Sequence, residues 1–231
     1  MISVVVPVRG EEPPEPEFLR RLAGSEILVA AEPSTCPATL DAFSRAGARV
    51  LVRDAPRGAR LAEAARESKG DVLLFLHADT LLPEAWTDAI ARAVASGAAS
   101  GAFRLAFDGG GARLAWVAFW ANLRTRVTRV PYGDQAPFVR RDVYEAIGGH
   151  RPWSLLEDVD LARRLGRTGP IALLDACVLT SPRRYLARGV AATVLTNWRI
   201  LWRFRQGASP EELAEEYRSS CRRSRADRSP R

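Results

Sequence analysis

Three short stretches and three arginines of this 231-residue chain carry side chains whose types and spacing could do chemistry. The first is Leu76-His77-Ala78-Asp79-Thr80, which directly follows the apolar run Asp71–Leu76. An acid at the end of a buried strand suits a hard divalent cation, Mn²⁺ or Mg²⁺, that in turn holds a diphosphate, because such ions prefer carboxylate oxygen. Side chains two apart in an extended segment point the same way, so His77 and Asp79 are expected to face one ligand. The competing use of Asp79 is structural, as a cap for the helix that follows. The second stretch is Leu155-Leu156-Glu157-Asp158-Val159-Asp160. A carboxylate there could take a proton from an attacking hydroxyl as general base. Acids in a first helical turn are also stabilised by the helix dipole, which explains the same spacing without chemistry.

The third stretch is Tyr132-Gly133-Asp134-Gln135-Ala136. A turn of this composition could present Asp134 and Gln135 to a sugar, or it could be a local Asx-turn. The last candidates are Arg57 and the pair Arg183-Arg184, whose forked guanidinium groups match phosphate oxygens. Most arginines in so arginine-rich a chain are simply solvated.

The elements that must position these residues alternate. Strands are expected at Ile2–Val6, Glu26–Ala30, Arg49–Val52 and Asp71–Leu76, with helices at Glu17–Ala23, Pro37–Ala46 and Arg57–Ser68 between them. Such β-α-β alternation predicts a mostly parallel sheet flanked by helices, with ligands bound beyond the carboxyl ends of the strands. Further on, the pattern predicts a helix over Pro83–Ser96 with Pro83 in its first turn, and a strand over Gly101–Phe107. Arg113–Val127 reads as a helix whose Trp116, Phe119 and Trp120 pack inward. Helices follow at Asp142–Ile147 and Leu155–Gly166, and a strand at Ile171–Leu174. Val190–Phe204 is an amphipathic helix, and Ser209 opens a last helix, Pro210–Arg218, through a capping box with Glu212. Residues after Arg218 are expected to be a disordered basic tail.

Composition narrows the class. Hydrophobic residues make up 47% and charged residues 26%, as in a globular protein, and no apolar run is long enough to span a bilayer. The opening Met1-Ile2-Ser3-Val4-Val5-Val6-Pro7 enters a strand at once and does not resemble a secretory leader. Cys36, Cys177 and Cys221 are too few and scattered for a disulfide framework or a zinc site. A cytoplasmic protein is expected on these grounds. The net charge of +7 invites a nucleic-acid reading. Only one basic residue, Lys69, is a lysine, however, and five arginines against one aspartate sit in Ser219–Arg231 alone. No nucleic acid is expected as partner. The tail suits an anionic membrane surface or a phosphate-bearing substrate, and the arginine-flanked Trp198 and Trp202 suit peripheral contact with the inner face of a membrane, although core packing explains them equally well.

Taken in order, these segments resemble the family 2 glycosyltransferases of the GT-A fold, and most of all a subgroup with a His-Ala-Asp-Thr motif. The resemblance covers residues 1–218, carried by SVVVPVRGEE, EILVAAEPST, PRGARLAEAA, LLFLHADTLLP, YGDQAPFVRR, LLEDVDLARR and TSPRRYLARG. It implies one domain with a Rossmann-like, mostly parallel sheet, a nucleotide half over about residues 1–100, an acceptor half over about 101–218, and a helical C-terminal section. It implies that Asp79 binds the metal bridging the donor diphosphate, with His77 where many relatives have another acid. Asp158 would be the general base, with Glu157 beside it. Arg57 would contact the nucleotide or its phosphates, Pro7, Val8 and Glu11 would line the nucleotide pocket, and Arg183 and Arg184 would neutralise the leaving diphosphate. Asp134 and Gln135 would lie on the acceptor side. The activity implied is inverting transfer from a nucleotide sugar to a hydroxyl of a lipid-linked, glycan or small-molecule acceptor.

One departure bears on the donor. The acidic pair of the family after its second strand falls on Ala31 and Glu32 here, and its following glycine on Pro33, so of that pair only Glu32 could substitute, with proline beside it changing the turn. A binding protein without turnover is therefore a competing class. A sugar nucleotidyltransferase shares the same α/β alternation, but the chain lacks an N-terminal glycine-rich phosphate loop with a lysine.

Overall fold

The computed structural model describes residues 1–10 and 12–226, with side chains through Ser220. The first half runs β1 (Ile2–Val8), α1 (Pro16–Leu22), β2 (Glu26–Ala31), α2 (Pro37–Arg45), β3 (Arg49–Val52), α3 (Arg57–Glu67) and β4 (Val72–Phe75). The consecutive β-branched residues of β1 leave no polar face, and Val4, Val5 and Val6 are fully buried. Successive side chains leave opposite faces of the sheet. Val4, Val6 and Leu74 pack with Phe18, Phe43 and Ile90 on one side, while Val5, Leu73 and Phe75 pack with Leu61, Leu161 and Leu165 on the other.

The second half comprises β5 (Thr80–Leu81), α4 (Trp86–Ala95), β6 (Ser100–Phe107), α5 (Gly111–Thr128), β7 (Phe138–Arg140), α6 (Arg141–Ala146) and α7 (Glu157–Leu165). It ends with β8 (Ile171–Thr180), α8 (Arg183–Arg188), α9 (Val190–Arg205) and α10 (Pro210–Ala226). One eight-stranded sheet holds the order β3-β2-β1-β4-β7-β6-β8-β5. The β3-β2-β1-β4 half is wholly parallel, as the alternation predicts. Beyond β4 the sheet is mixed: β7 runs antiparallel to both β4 and β6, and β5 antiparallel to β8.

Several expectations are corrected. Strands β5 and β7 are two and three residues long, too short for a periodicity to register. Helix α4 starts at Trp86, with Pro83 in the preceding turn and not in the helix. Strand β8 continues past Leu174 to Thr180 because β6 pairs with it over most of its length. Helix α10 runs on through Ala226, past the boundary drawn at Arg218, while residues 227–231 of the expected tail lie outside the described residues. The capping box at its start is formed, with Glu212 N–H donating to Ser209 Oγ at 3.2 Å and Ser209 N–H to Glu212 Oε2 at 3.3 Å.

The largest correction concerns α5. Leu114, Ala118 and Thr125 face the sheet, and Asn122 bonds both backbone groups of Leu105, at 2.8 and 2.9 Å. That fixes the helix's rotation and turns Trp116, Phe119 and Trp120 outward, where they are exposed and not packed in the core. Among the described residues no helix is long and apolar enough to cross a membrane.

Candidate active site

The carboxyl end of β4 leads into a tight turn, closed by Thr80 N–H donating to His77 carbonyl at 3.1 Å. The segment is therefore not extended, and the alternation expected to aim His77 and Asp79 at one ligand does not apply. His77 turns inward instead. Its Nε2 lies 2.7 Å from Arg57 Nη2. Burial holds the imidazole well below its ordinary pKa, and the Arg57 and Arg184 charges push the same way. A neutral ring facing a guanidinium donor must accept at Nε2, so its proton sits on Nδ1. Asp79 stays exposed at the turn, its carboxylate taking one bond, from the Thr80 hydroxyl at 3.4 Å.

Arg57, the first residue of α3, also pairs with Glu157 Oε1. Glu157 is fully buried at the start of α7, and its second oxygen has no hydrogen-bond partner in the protein. Burial pushes its carboxyl up, while Arg57 beside it pulls the other way. The pair spans 100 residues of sequence, and no local pattern could have announced it. The residue before the helix, Leu156, has φ 62°, left-handed for a side chain that rarely goes there. Its burial with Val159, Ile200 and Leu213 holds that backbone, which sets the direction in which α7 begins.

Asp158, next in α7, accepts from Gly133 N–H at 2.6 Å and from Val159 N–H at 2.8 Å. Gly133 leaves His77 and Asp158 room that a side chain would take. A Cβ there would lie 2.7 Å from His77 Nε2 and 2.9 Å from Asp158 Oδ2. His77, Arg57, Glu157, Asp158 and Gly133 thus converge at the carboxyl edge of the sheet, with Pro7 from β1 lining the same cavity. Of the two turn residues after Gly133, Asp134 keeps one buried carboxylate oxygen without a partner. Burial raises its pKa, against the pull of Arg124 and Arg184. Gln135 is fully buried and committed to the interior. Its carbonyl accepts from Thr125 Oγ1 at 2.6 Å and its amide donates to Phe103 carbonyl at 3.4 Å. The structure places Gln135 as a tie between turn, β6 and α5.

The donor-side candidates are more scattered. Val8 closes β1, and its carbonyl accepts weakly from Thr35 Oγ1 at 3.4 Å and Arg60 Nη1 at 3.5 Å. Glu11 lies outside the described residues. Glu32, just past β2, is paired with Arg9 at 2.7 Å and Arg60 at 3.6 Å. Pro33 fits the second position of the turn that Thr35 N–H closes onto Glu32 carbonyl at 3.0 Å, so the proline is accommodated. Arg183 pairs with Glu12 and, at 3.6 Å, with Glu15, so its charge is taken up by the loop after β1. Arg184 reaches Tyr217 Oη at 3.1 Å and is electrostatically coupled to Asp134 and Asp79. Three contributors escaped the sequence reading. Arg60 is buried at the ends of β1 and β2, and its position three residues after Arg57 on one helix was a usable signal. Gly133 stood in the turn singled out at 132–136 but without a role of its own, and Arg124, whose guanidinium stacks 3.3 Å above the Tyr132 ring, gave no signal.

Among the described residues no group of three or more His, Cys, Asp or Glu side chains is arranged to hold a metal. The residues present nonetheless fit Mg²⁺ or Mn²⁺ in the way those ions are usually bound beside nucleotides, by one or two carboxylates with substrate phosphates completing the shell. Asp79, open and at the strand's end, is the carboxylate available.

No protein-family model and no curated protein sequence matches the chain. Solved structures do. The N-terminal part of TarS from S. aureus (residues 1–349) superposes with a TM-score of 0.62 at 16% identity, covering 80% of this chain and 62% of that one. Its complex with UDP-GlcNAc gives 0.62 at 15%, covering 78% and 58%. Glucosyl-3-phosphoglycerate synthase from Mycobacterium tuberculosis, with Mn²⁺, UDP and phosphoglyceric acid, gives 0.53 at 19%, covering 84% and 77%. The chain spans less than two thirds of those TarS fragments. At these identities the likeness establishes the fold: a mixed α/β sheet flanked by helices, shared with GT-A glycosyltransferases.

Proposed function

We propose that the chain is an inverting glycosyltransferase of the family 2 type, moving a sugar from a nucleotide-sugar donor to an acceptor hydroxyl. The observation that carries this is Asp158, a half-buried carboxylate clamped by two backbone N–H groups where His77, Arg57 and Glu157 converge at the sheet's carboxyl edge. The fold that holds it is shared with enzymes solved with UDP, UDP-GlcNAc, Mn²⁺ and Mg²⁺. In this reading the acceptor oxygen attacks the anomeric carbon and the bond to the diphosphate oxygen breaks. Asp158 takes the hydroxyl proton, for which its remaining lone pairs serve. Arg57 is oriented by Glu157 and neutral His77 toward the donor. Arg184 and Asp134 lie toward the leaving group and the acceptor. A cation held by Asp79 would supply charge neutralisation on the diphosphate.

A UDP sugar is the donor proposed, and a lipid-linked, glycan or small-molecule hydroxyl compound the acceptor. The compartment proposed is the cytoplasm, with which the free thiols of Cys36 and Cys177 accord. A second reading, binding without turnover, is favoured by one observation: Ala31 stands where an acid is expected, and Glu32 is already engaged by Arg9 and Arg60. Thermal shift with UDP, GDP, dTDP and CMP sugars, with and without Mn²⁺, separates the readings. A ligand that binds the native state alone raises the melting temperature by mass action. The transferase reading expects a Mn²⁺-dependent shift that Asp79→Ala loses. It also expects Asp158→Asn to keep the shift while nucleotide release stops. Shifts without any turnover in the wild type would favour the binder, and no shift with any nucleotide would sink both.

A further inference from the structure

Among the described residues nothing covers the apolar outward faces of α5 and α9. On α5 the exposed side chains Trp116 (61%), Phe119 (54%) and Trp120 (49%) form one cluster with ring centroids 5.5 to 5.9 Å apart, Trp116 stacked on Phe119 and Trp120 edge-on to both. Val127, a further two turns along, is exposed as well. On α9 the exposed residues are Leu195 (69%), Trp198 (73%) and Trp202 (59%), again at helical spacing on one side. Both helices are already anchored by their other faces, α5 through Leu114, Ala118 and Asn122, α9 through Ile200. The aromatic rings are therefore surplus to the core. Contiguous exposed apolar surface of this kind marks a contact with something else.

Charge identifies the occupant. The two helices carry six arginines (Arg113, Arg124, Arg126, Arg199, Arg203 and Arg205) and not one aspartate, glutamate or lysine. Arg199 and Arg203 share Glu216 of α10, and Arg124 is stacked on Tyr132, which leaves Arg113, Arg126 and Arg205 facing outward. Tryptophan suits a boundary with one side apolar and one side wet, and arginine beside it suits anionic headgroups. One cluster links the segment after α5 to α9. Val130 and Tyr132, just past the end of α5, pack in the same small cluster as Ile200 of α9 and Val159 of α7. That cluster adjoins Asp158.

We infer that the outward faces of α5 and α9 dock on an anionic membrane surface, with Trp116, Phe119, Trp120, Trp198 and Trp202 entering the headgroup region and arginines pairing with lipid phosphate. The inference does not depend on sugar transfer, but it would place the acceptor side of the candidate site at the lipid surface. Flotation with vesicles of phosphatidylcholine alone, and of phosphatidylcholine mixed with phosphatidylglycerol, tests it on the full chain. The wild type should float with the anionic vesicles, weakly or not at all with the neutral ones, and less as salt rises. Replacing Trp116, Phe119 and Trp120 together by Ser, or Trp198 and Trp202 together by Ser, should each weaken partitioning roughly tenfold or more. These side chains are exposed, so circular dichroism and melting temperature should stay at wild-type values. Equal flotation of wild type and both variants, or no flotation of the wild type, overturns the inference. So does a wild type that sediments as a dimer while the variants are monomers and neither binds vesicles, because the occupant is then a second copy.

Discussion

Arg57→Ala tests the centre of the site without needing its substrate. Removing the guanidinium leaves Glu157 fully buried, with one oxygen already unpartnered and the other losing its charged donor. Breaking a buried pair from one side typically costs about 3–5 kcal/mol, because the remaining charge has nothing to offset its desolvation. For a chain of this size each kcal/mol corresponds to roughly 2–4 °C in melting temperature, so a drop on the order of 6–20 °C is expected. Replacing both partners, as in Arg57→Met with Glu157→Leu, removes the orphaned charge and should recover most of that loss. The pH dependence supplies a second check. Without Arg57, which pulls its pKa down, Glu157 is raised further by burial. A carboxyl raised in the folded state is penalised when ionised, so the variant should regain stability as pH falls and the group protonates. Urea unfolding of the two single variants and the double variant, at neutral and mildly acidic pH, reads all of this. A loss below about 1 kcal/mol for Arg57→Ala, with no recovery in the double variant, would refute the reasoning that Glu157 depends on Arg57.

Three further outcomes follow from the same geometry. Gly133→Ala puts a methyl group within 2.9 Å of both His77 Nε2 and Asp158 Oδ2 at a position whose φ an alanine tolerates. Turnover should fall on the order of 10²-fold while stability falls only about 1–3 kcal/mol, and a turnover rate matching the wild type would mean Asp158 need not sit where it does. His150 is buried against Phe75 and Tyr144, and burial lowers its pKa from 6.5 to about 3. The unfolded chain therefore binds a proton that the native state refuses. Stability should decline as pH falls from 6.5 toward 3, by up to about 1.4 kcal/mol per pH unit from this residue, and His150→Asn should flatten the slope by that amount. Gln135→Leu strips the buried Thr125 hydroxyl and Phe103 carbonyl of a partner. It should cost about 2–4 kcal/mol in urea unfolding, and a neutral result would show that the amide does not tie the turn to α5.

What the sequence determined by itself was local. The apolar runs of Ile2–Val6, mostly β-branched, and Asp71–Leu76, with the intervening helices, announced the parallel half of the sheet, because buried strands and amphipathic helices write their periodicity into neighbouring residues. The Ser209–Glu212 cap was legible for the same reason. His77, Asp79, Asp134, Glu157 and Asp158 could be picked out as an ordered set. What they touch could not. The Arg57–Glu157 pair across 100 residues and the close approach of Gly133 to Asp158 arise where chain segments distant in sequence meet, and the turn that parts His77 from Asp79, though local, broke the extended alternation expected there. Strands β5 and β7 exist only because neighbours accept their hydrogen bonds, and two or three residues carry no period. The direction of Trp116, Phe119 and Trp120 was likewise decided by which face of α5 Asn122 pinned to Leu105. A helix apolar on both sides has no preferred rotation of its own, so only its packing partner could choose.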